Sequence, residues 1–166
     1  KLEGGQRMSA QVKAIVDAGI PVMGHVGLTP QSHHQFSGYK IQGKDVASAI
    51  QIVHDCDALL ETGVFSIVLE GVPEQLAEFI SHRVPVPTIG IAAGIHCDGQ
   101  IQVFHDILGY FDDFTPKHAK IFHNMHAEIS AALQNYKTQV EKQEFPEAVH
   151  CTRMKDETFQ QFLELF

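Results

Sequence analysis

The sequence predicts a parallel α/β fold, and three observations carry that expectation. Short apolar runs alternate with longer stretches of helical period, the pattern of βα units around a parallel sheet. The run over residues 65–70 reads as a buried strand, apolar as a sheet covered on both faces requires, and ends on Glu70. The polar residues that interrupt the apolar pattern fall at one place in each unit, where a strand gives way to its loop.

In chain order, Lys1-Leu2-Glu3 reads as the tail of a strand, so the chain is expected to be part of a longer protein. Met8, Val12, Ile15 and Val16 then recur at helical spacing over residues 8–18, and Gly19 stops the helix. Residues 20–25 are strand-like. The loop over 27–44, rich in Gly, Ser, Gln and Pro, is long enough to favour a functional role. Asp45 is placed to cap a helix that presents Val46, Ala49, Ile50, Val53 and Leu60 and ends near Gly63. After the strand at 65–70, Pro73 opens a short helix expected to bury Leu76, Phe79 and Ile80. Further strands are expected at 87–91 and at 101–104, the second closed by His105-Asp106. Thr115-Pro116 is expected to start a long helix with Phe122, Met125, Ile129, Leu133, Tyr136 and Val140 on one face. Residues 1–146 form the folded unit, and the tail over 147–166 offers a short amphipathic helix from Glu157.

The chain has 166 residues, and its 12 basic against 20 acidic side chains leave a charge of −8 with no basic run. That balance argues against a nucleic-acid or anionic-membrane partner. With 44% apolar and 19% charged residues the composition is that of a packed protein. Cys56, Cys97 and Cys151 lie far apart with no CxxC, which suits neither a disulfide framework nor a zinc knuckle and fits a reducing, cytoplasmic setting.

Chemistry is expected where strands end, because in parallel α/β proteins those ends converge on one face. Glu3, His25, Glu70, Gly94 and His105-Asp106 all occupy such ends. Glu70 emerges at the rim of the core, where burial can tune a carboxylate for proton transfer; capping the helix at Pro73 is the alternative. Glu3 offers oxygen to a hard cation such as Mg²⁺, although one carboxylate is no metal site. Lys1, two residues earlier, points to the same face as Glu3, as a surface ion pair or as a cation for an anionic ligand. His25 stands between Gly24 and Gly27, which let a ligand approach. The pairs His33-His34 and His123/His126 are weaker metal candidates, and the turn over 90–94 lacks the spacing of a nucleotide loop.

Taken together, Lys1-Leu2-Glu3-Gly4-Gly5, His25-Val26-Gly27-Leu28-Thr29-Pro30-Gln31-Ser32, Gly38-Tyr39-Lys40-Ile41-Gln42-Gly43-Lys44, Leu69-Glu70-Gly71-Val72-Pro73, Gly90-Ile91-Ala92-Ala93-Gly94, Asp98-Gly99-Gln100, His105-Asp106 and Pro116-Lys117 resemble the ketopantoate hydroxymethyltransferase family in order and spacing. The resemblance implies a (β/α)8 barrel, of which this chain supplies the end of strand 4 and strands 5–8 with their helices. It implies transfer of a hydroxymethyl group from 5,10-methylenetetrahydrofolate to 3-methyl-2-oxobutanoate on a Mg²⁺-stabilised enolate, in a cytoplasmic homo-oligomer similar to a decamer. Carried over by motif, Glu70 is the catalytic proton acceptor, Lys1 and His25 bind substrate, and Glu3 is a metal-site carboxylate whose partners lie upstream. Ala92 stands where the family has glycine, and His118 where an aromatic residue follows Pro-Lys. Two alternatives remain open: a Mg²⁺ enolate enzyme similar to phosphoenolpyruvate mutase and isocitrate lyase, and a half-barrel without catalysis.

Overall fold

The computed structural model describes residues 1–31 and 40–165. Five parallel strands form one sheet in sequential order: β1 (Leu2–Glu3), β2 (Met23–Gly27), β3 (Ser66–Glu70), β4 (Thr88–Ile91) and β5 (Gly99–Gln100). The helices are α1 (Ser9–Asp17), α2 (Val46–Glu61), α3 (Glu74–Arg83), α4 (Phe104–Leu108), α5 (Met125–Glu141) and α6 (Asp156–Leu163).

Register assigns the two faces of the sheet. Leu2 pairs with Gly24, and Val26 with Leu69, whereas Glu3 pairs with His25 and Gly27 with Glu70. Because alternate residues point to opposite faces, Gly24, Val26, Ile67 and Leu69 share one face, while Glu3, His25, Val68 and Glu70 share the other. The first face is the packed one: Val26, Ile67 and Leu69 join Val12 of α1, Ile52, Cys56 and Leu59 of α2, and Ala77 and Ile80 of α3 in a single core. Gly24 shows how closely α2 lies on the sheet, since a Cβ there would stand 2.7 Å from Leu59 Cδ1.

Several expectations are corrected by how that core closes. Helix α2 is capped as expected, with Asp45 Oδ1 accepting from Ser48 N (3.0 Å) and Ser48 Oγ accepting from Asp45 N (3.3 Å). Its fully buried stripe, however, is Ile52, Cys56 and Leu59; of the expected face Val53 and Leu60 pack partly against the core, whereas Val46 and Ile50 are exposed. Two apolar stripes compete on this helix, and the one spaced to meet β2 and β3 wins. In α3, Ala77 and Ile80 are buried and Phe79 faces outward. Strand β2 begins at Met23 rather than residue 20, the first ladder contact being Phe65 N to Val22 O at 3.1 Å.

The strand expected at 101–104 is instead β5 at Gly99–Gln100, and Phe104 already opens α4. Pairing on one side only ends soon after, with Ile101 N donating to Gly90 O. The turn into β5 is held by Asp98, whose Oδ2 accepts from Thr88 N (2.7 Å) and Thr88 Oγ1 (2.9 Å). The long helix starts at Met125, not at Thr115, with Asn124 Oδ1 accepting from Ala127 N. The preceding segment is tied to α4 by Phe122 N to Ile107 O, a bond that a helix through 115–124 would forfeit, and His126 N in the first turn of α5 donates to Gly109 O just past α4. Leu133, Tyr136 and Val140 of α5 are exposed, as are Phe159, Phe162 and Leu163 of α6.

Candidate active site

Three strand ends build the site on the sheet face that α1, α2 and α3 leave free. Gly4 N donates to His25 O (3.0 Å), which holds the end of β1 beside β2. Gly27 adopts φ +89°, and a Cβ there would lie 2.3 Å from Glu70 O, so only glycine lets β2 leave the sheet against the end of β3. Leu28 N then donates to that same Glu70 carbonyl at 2.7 Å, fixing the backbone that carries the carboxylate.

All four expected residues come together here. Lys1 Nζ lies 2.9 Å from His25 Nδ1 and 3.4 Å from Glu3 Oε1. His25, only 1% exposed, places Nε2 3.1 Å from Glu70 Oε2 and Nδ1 3.7 Å from Glu3 Oε1. Glu3 Oε2 accepts from Gln31 N at 2.9 Å, a contact that no sequence pattern announces. The result is an alternating row of ammonium, imidazole and carboxylates, with Lys1 the most exposed member and both carboxylates partly open. An ammonium at the mouth can receive an anionic ligand, and Glu70 can accept a proton beside it.

The remaining strand-end candidates do not join this cluster. His105 and Asp106 lie within α4, not at a strand end; His105 packs edge-on against Tyr110 (5.1 Å between ring centres) and stacks with Phe111 (5.7 Å). Gly94, at φ +82°, is a packing position, since a Cβ there would meet Glu74 at 2.4 Å. His126 pairs with Asp112 (3.2 Å) rather than with His123. His33-His34, together with Ser32 and the rest of 32–39, lies outside the described residues.

Sequence reasoning overlooked Asp55. Its Oδ1 accepts from Gln6 N at 2.8 Å and from Gln51 Nε2 at 3.3 Å, tying the turn after Glu3 to α2. Gly5 permits this, because a Cβ there would overlap the Asp55 carboxylate at 2.2 Å. A cleft of about 370 Å³ opens beside it, lined among others by Gly4, Thr29, Gln42, Ser48 and Asp55. A mid-helix carboxylate ordinarily reads as solvated, and the paired Gly4-Gly5 is the only signal that something approaches.

The fit to Mg²⁺ is incomplete. Among the described residues no three His, Cys, Asp or Glu side chains are grouped to hold a metal, and both Glu3 oxygens already face donors. Glu3 thus contributes a carboxylate to a metal site at most, and the described residues do not make one by themselves. No helix among the described residues is long and apolar enough to cross a membrane.

A family model described as ketopantoate hydroxymethyltransferase matches residues 1–148. The chain is similar to proteins named 3-methyl-2-oxobutanoate hydroxymethyltransferase: that of Syntrophomonas wolfei is 54% identical over 157 residues, covering 95% of this chain and 57% of the relative. Those of Clostridium beijerinckii (50% over 156 residues; 94% and 57%) and Moorella thermoacetica (52% over 150 residues; 90% and 56%) are alike. The chain therefore spans just over half the length of these relatives.

Proposed function

The chain belongs to the ketopantoate hydroxymethyltransferase family, a family of transferase enzymes, and on that premise we propose that the protein containing it transfers a hydroxymethyl group from 5,10-methylenetetrahydrofolate to 3-methyl-2-oxobutanoate, giving 2-dehydropantoate. The observation that carries the reading is the meeting of Lys1, Glu3, His25 and Glu70 at adjoining strand ends. Glu70 takes the proton from carbon 3 of the oxo acid, and the electron pair released passes to the oxo oxygen. Lys1 offsets that developing charge and the substrate carboxylate through its ammonium. The one-carbon unit exchanges its two bonds to the donor's nitrogens for a bond to carbon 3 and a hydroxyl from water, and tetrahydrofolate leaves with the proton taken from carbon 3 and the remaining proton of that water.

Mg²⁺ belongs to this reading of the whole protein: when bound it would supply Lewis-acid stabilisation of the charge that develops on the substrate, and Glu3 is the residue of this chain that would help to hold it. The (β/α)8 barrel belongs to it as well: β1 and β5 each lack a second neighbour among the described residues, and strands from the remainder of the protein would close the wall between them. The proposal extends to a cytoplasmic homo-oligomer. Its test is ketopantoate formation by the full-length protein from both substrates, with and without Mg²⁺. Turnover that needs both supports it; no turnover under either condition refutes it and leaves a structural half-barrel, the reading that the two open sheet edges favour for the chain alone.

A further inference from the structure

We propose that His25 is a positioning residue for Glu70: Lys1 fixes its imidazole as the tautomer protonated on Nε2, and that N–H aims Glu70 Oε2 so that Oε1 is left to take the substrate's proton. The proposal rests on the reading of Glu70 as proton acceptor. An ammonium has three donors and no acceptor, so across the 2.9 Å contact Lys1 Nζ donates and His25 Nδ1 accepts. A neutral imidazole with Nδ1 so engaged carries its one proton on Nε2. Glu3 Oε1, 3.4 Å from Lys1 Nζ, holds the ammonium beside Nδ1.

The far side of the ring is equally constrained. Nε2 is buried and makes no hydrogen bond of good geometry, yet Glu70 Oε2 stands 3.1 Å away. A buried N–H seeks an acceptor, and rotation about the broad terminal torsion of Glu70 aligns one. With Oε2 the oxygen nearer the ring and held by that N–H, Oε1 is the one left to take the proton. His25 itself is only 1% exposed, so its ring is placed to act through Glu70.

Two substitutions separate the possibilities in the full-length protein. The amide nitrogen of His25→Gln reaches the position of Nε2, whereas that of His25→Asn reaches only the level of Nδ1. The expected result is that H25N lowers kcat about tenfold or more with KM for 3-methyl-2-oxobutanoate little changed, and that H25Q recovers most of the loss. Equal losses in both variants, or an effect confined to KM, would overturn the positioning role. Nitrogen NMR of the ¹⁵N-histidine-labelled full-length protein tests the tautomer without any assay: His25, assigned by the signal lost in H25Q, must show its proton on Nε2, and a proton on Nδ1 overturns the proposal. Unmoved signals from the other histidines report an intact fold. Should Glu70→Gln leave kcat unchanged, the role of Glu70 falls and the positioning role with it, while the NMR result still decides the tautomer.

Discussion

Ala92 sits at φ 52° in the left-handed region, where a side chain crowds the following carbonyl. Replacing it with glycine removes that crowding. Ala92→Gly is expected to raise stability by about 1 kcal/mol, measured by urea unfolding. Gly27 is the opposite case. At φ +89° and with its would-be Cβ 2.3 Å from Glu70 O, Gly27→Ala should cost about 1–3 kcal/mol and displace the carboxylate. A crystal structure of G27A with an unmoved Glu70 would contradict that account. At this scale the meeting of Glu3, His25 and Glu70 was legible, because each is a polar residue at the end of a strand, although His105-Asp106 carried the same signal and does not join them. Asp55 and the Gln31 amide were not, since their role depends on the tertiary meeting of a loop with a helix and not on any local period.

Elements with two apolar stripes defeat periodicity. In α2 both 46/50/53/60 and 52/56/59 keep helical spacing, and only the position of β2 and β3 decides that Leu59 is buried while Val46 is exposed. Leu59→Ala, at a fully buried position, should destabilise by about 2–5 kcal/mol in denaturant unfolding, and Val46→Ala by much less. The strand at 65–70 was legible because no competing helical pattern fits it. The segment at 101–104 was misread because its apolar run has the composition of a strand but a neighbour on one side only.

Asp98 illustrates an element locked by charge. Hydrogen bonds from the Thr88 backbone and hydroxyl hold its carboxyl below the ordinary carboxylate range. A carboxyl whose folded-state pKa is depressed adds stability that is full above its unfolded value and is lost as pH falls through the folded one. Wild type should therefore exceed Asp98→Asn in stability at neutral pH, with the gap narrowing between about pH 5 and pH 2. Thermal unfolding across that range checks it, and a constant gap would contradict the lock.

For the molecule as a whole, one face of the sheet is finished and the other carries Glu3, His25 and Glu70. Helices α1, α2 and α3 close a core on the first, whereas β1 and β5 keep one unpaired edge each among the described residues, and α5 and α6 present apolar side chains to solvent. The 166-residue chain alone is expected to self-associate through those surfaces and to bind Mg²⁺ weakly, as light scattering and calorimetric titration would show. The central claim is that Glu70 removes the proton from carbon 3, and isotope exchange reads that step without the folate donor. The full-length protein, given 3-methyl-2-oxobutanoate deuterated at carbon 3 with Mg²⁺, should release deuterium to water, and Glu70→Gln should slow release by about 10²-fold or more. Release at the wild-type rate from E70Q would contradict the assignment.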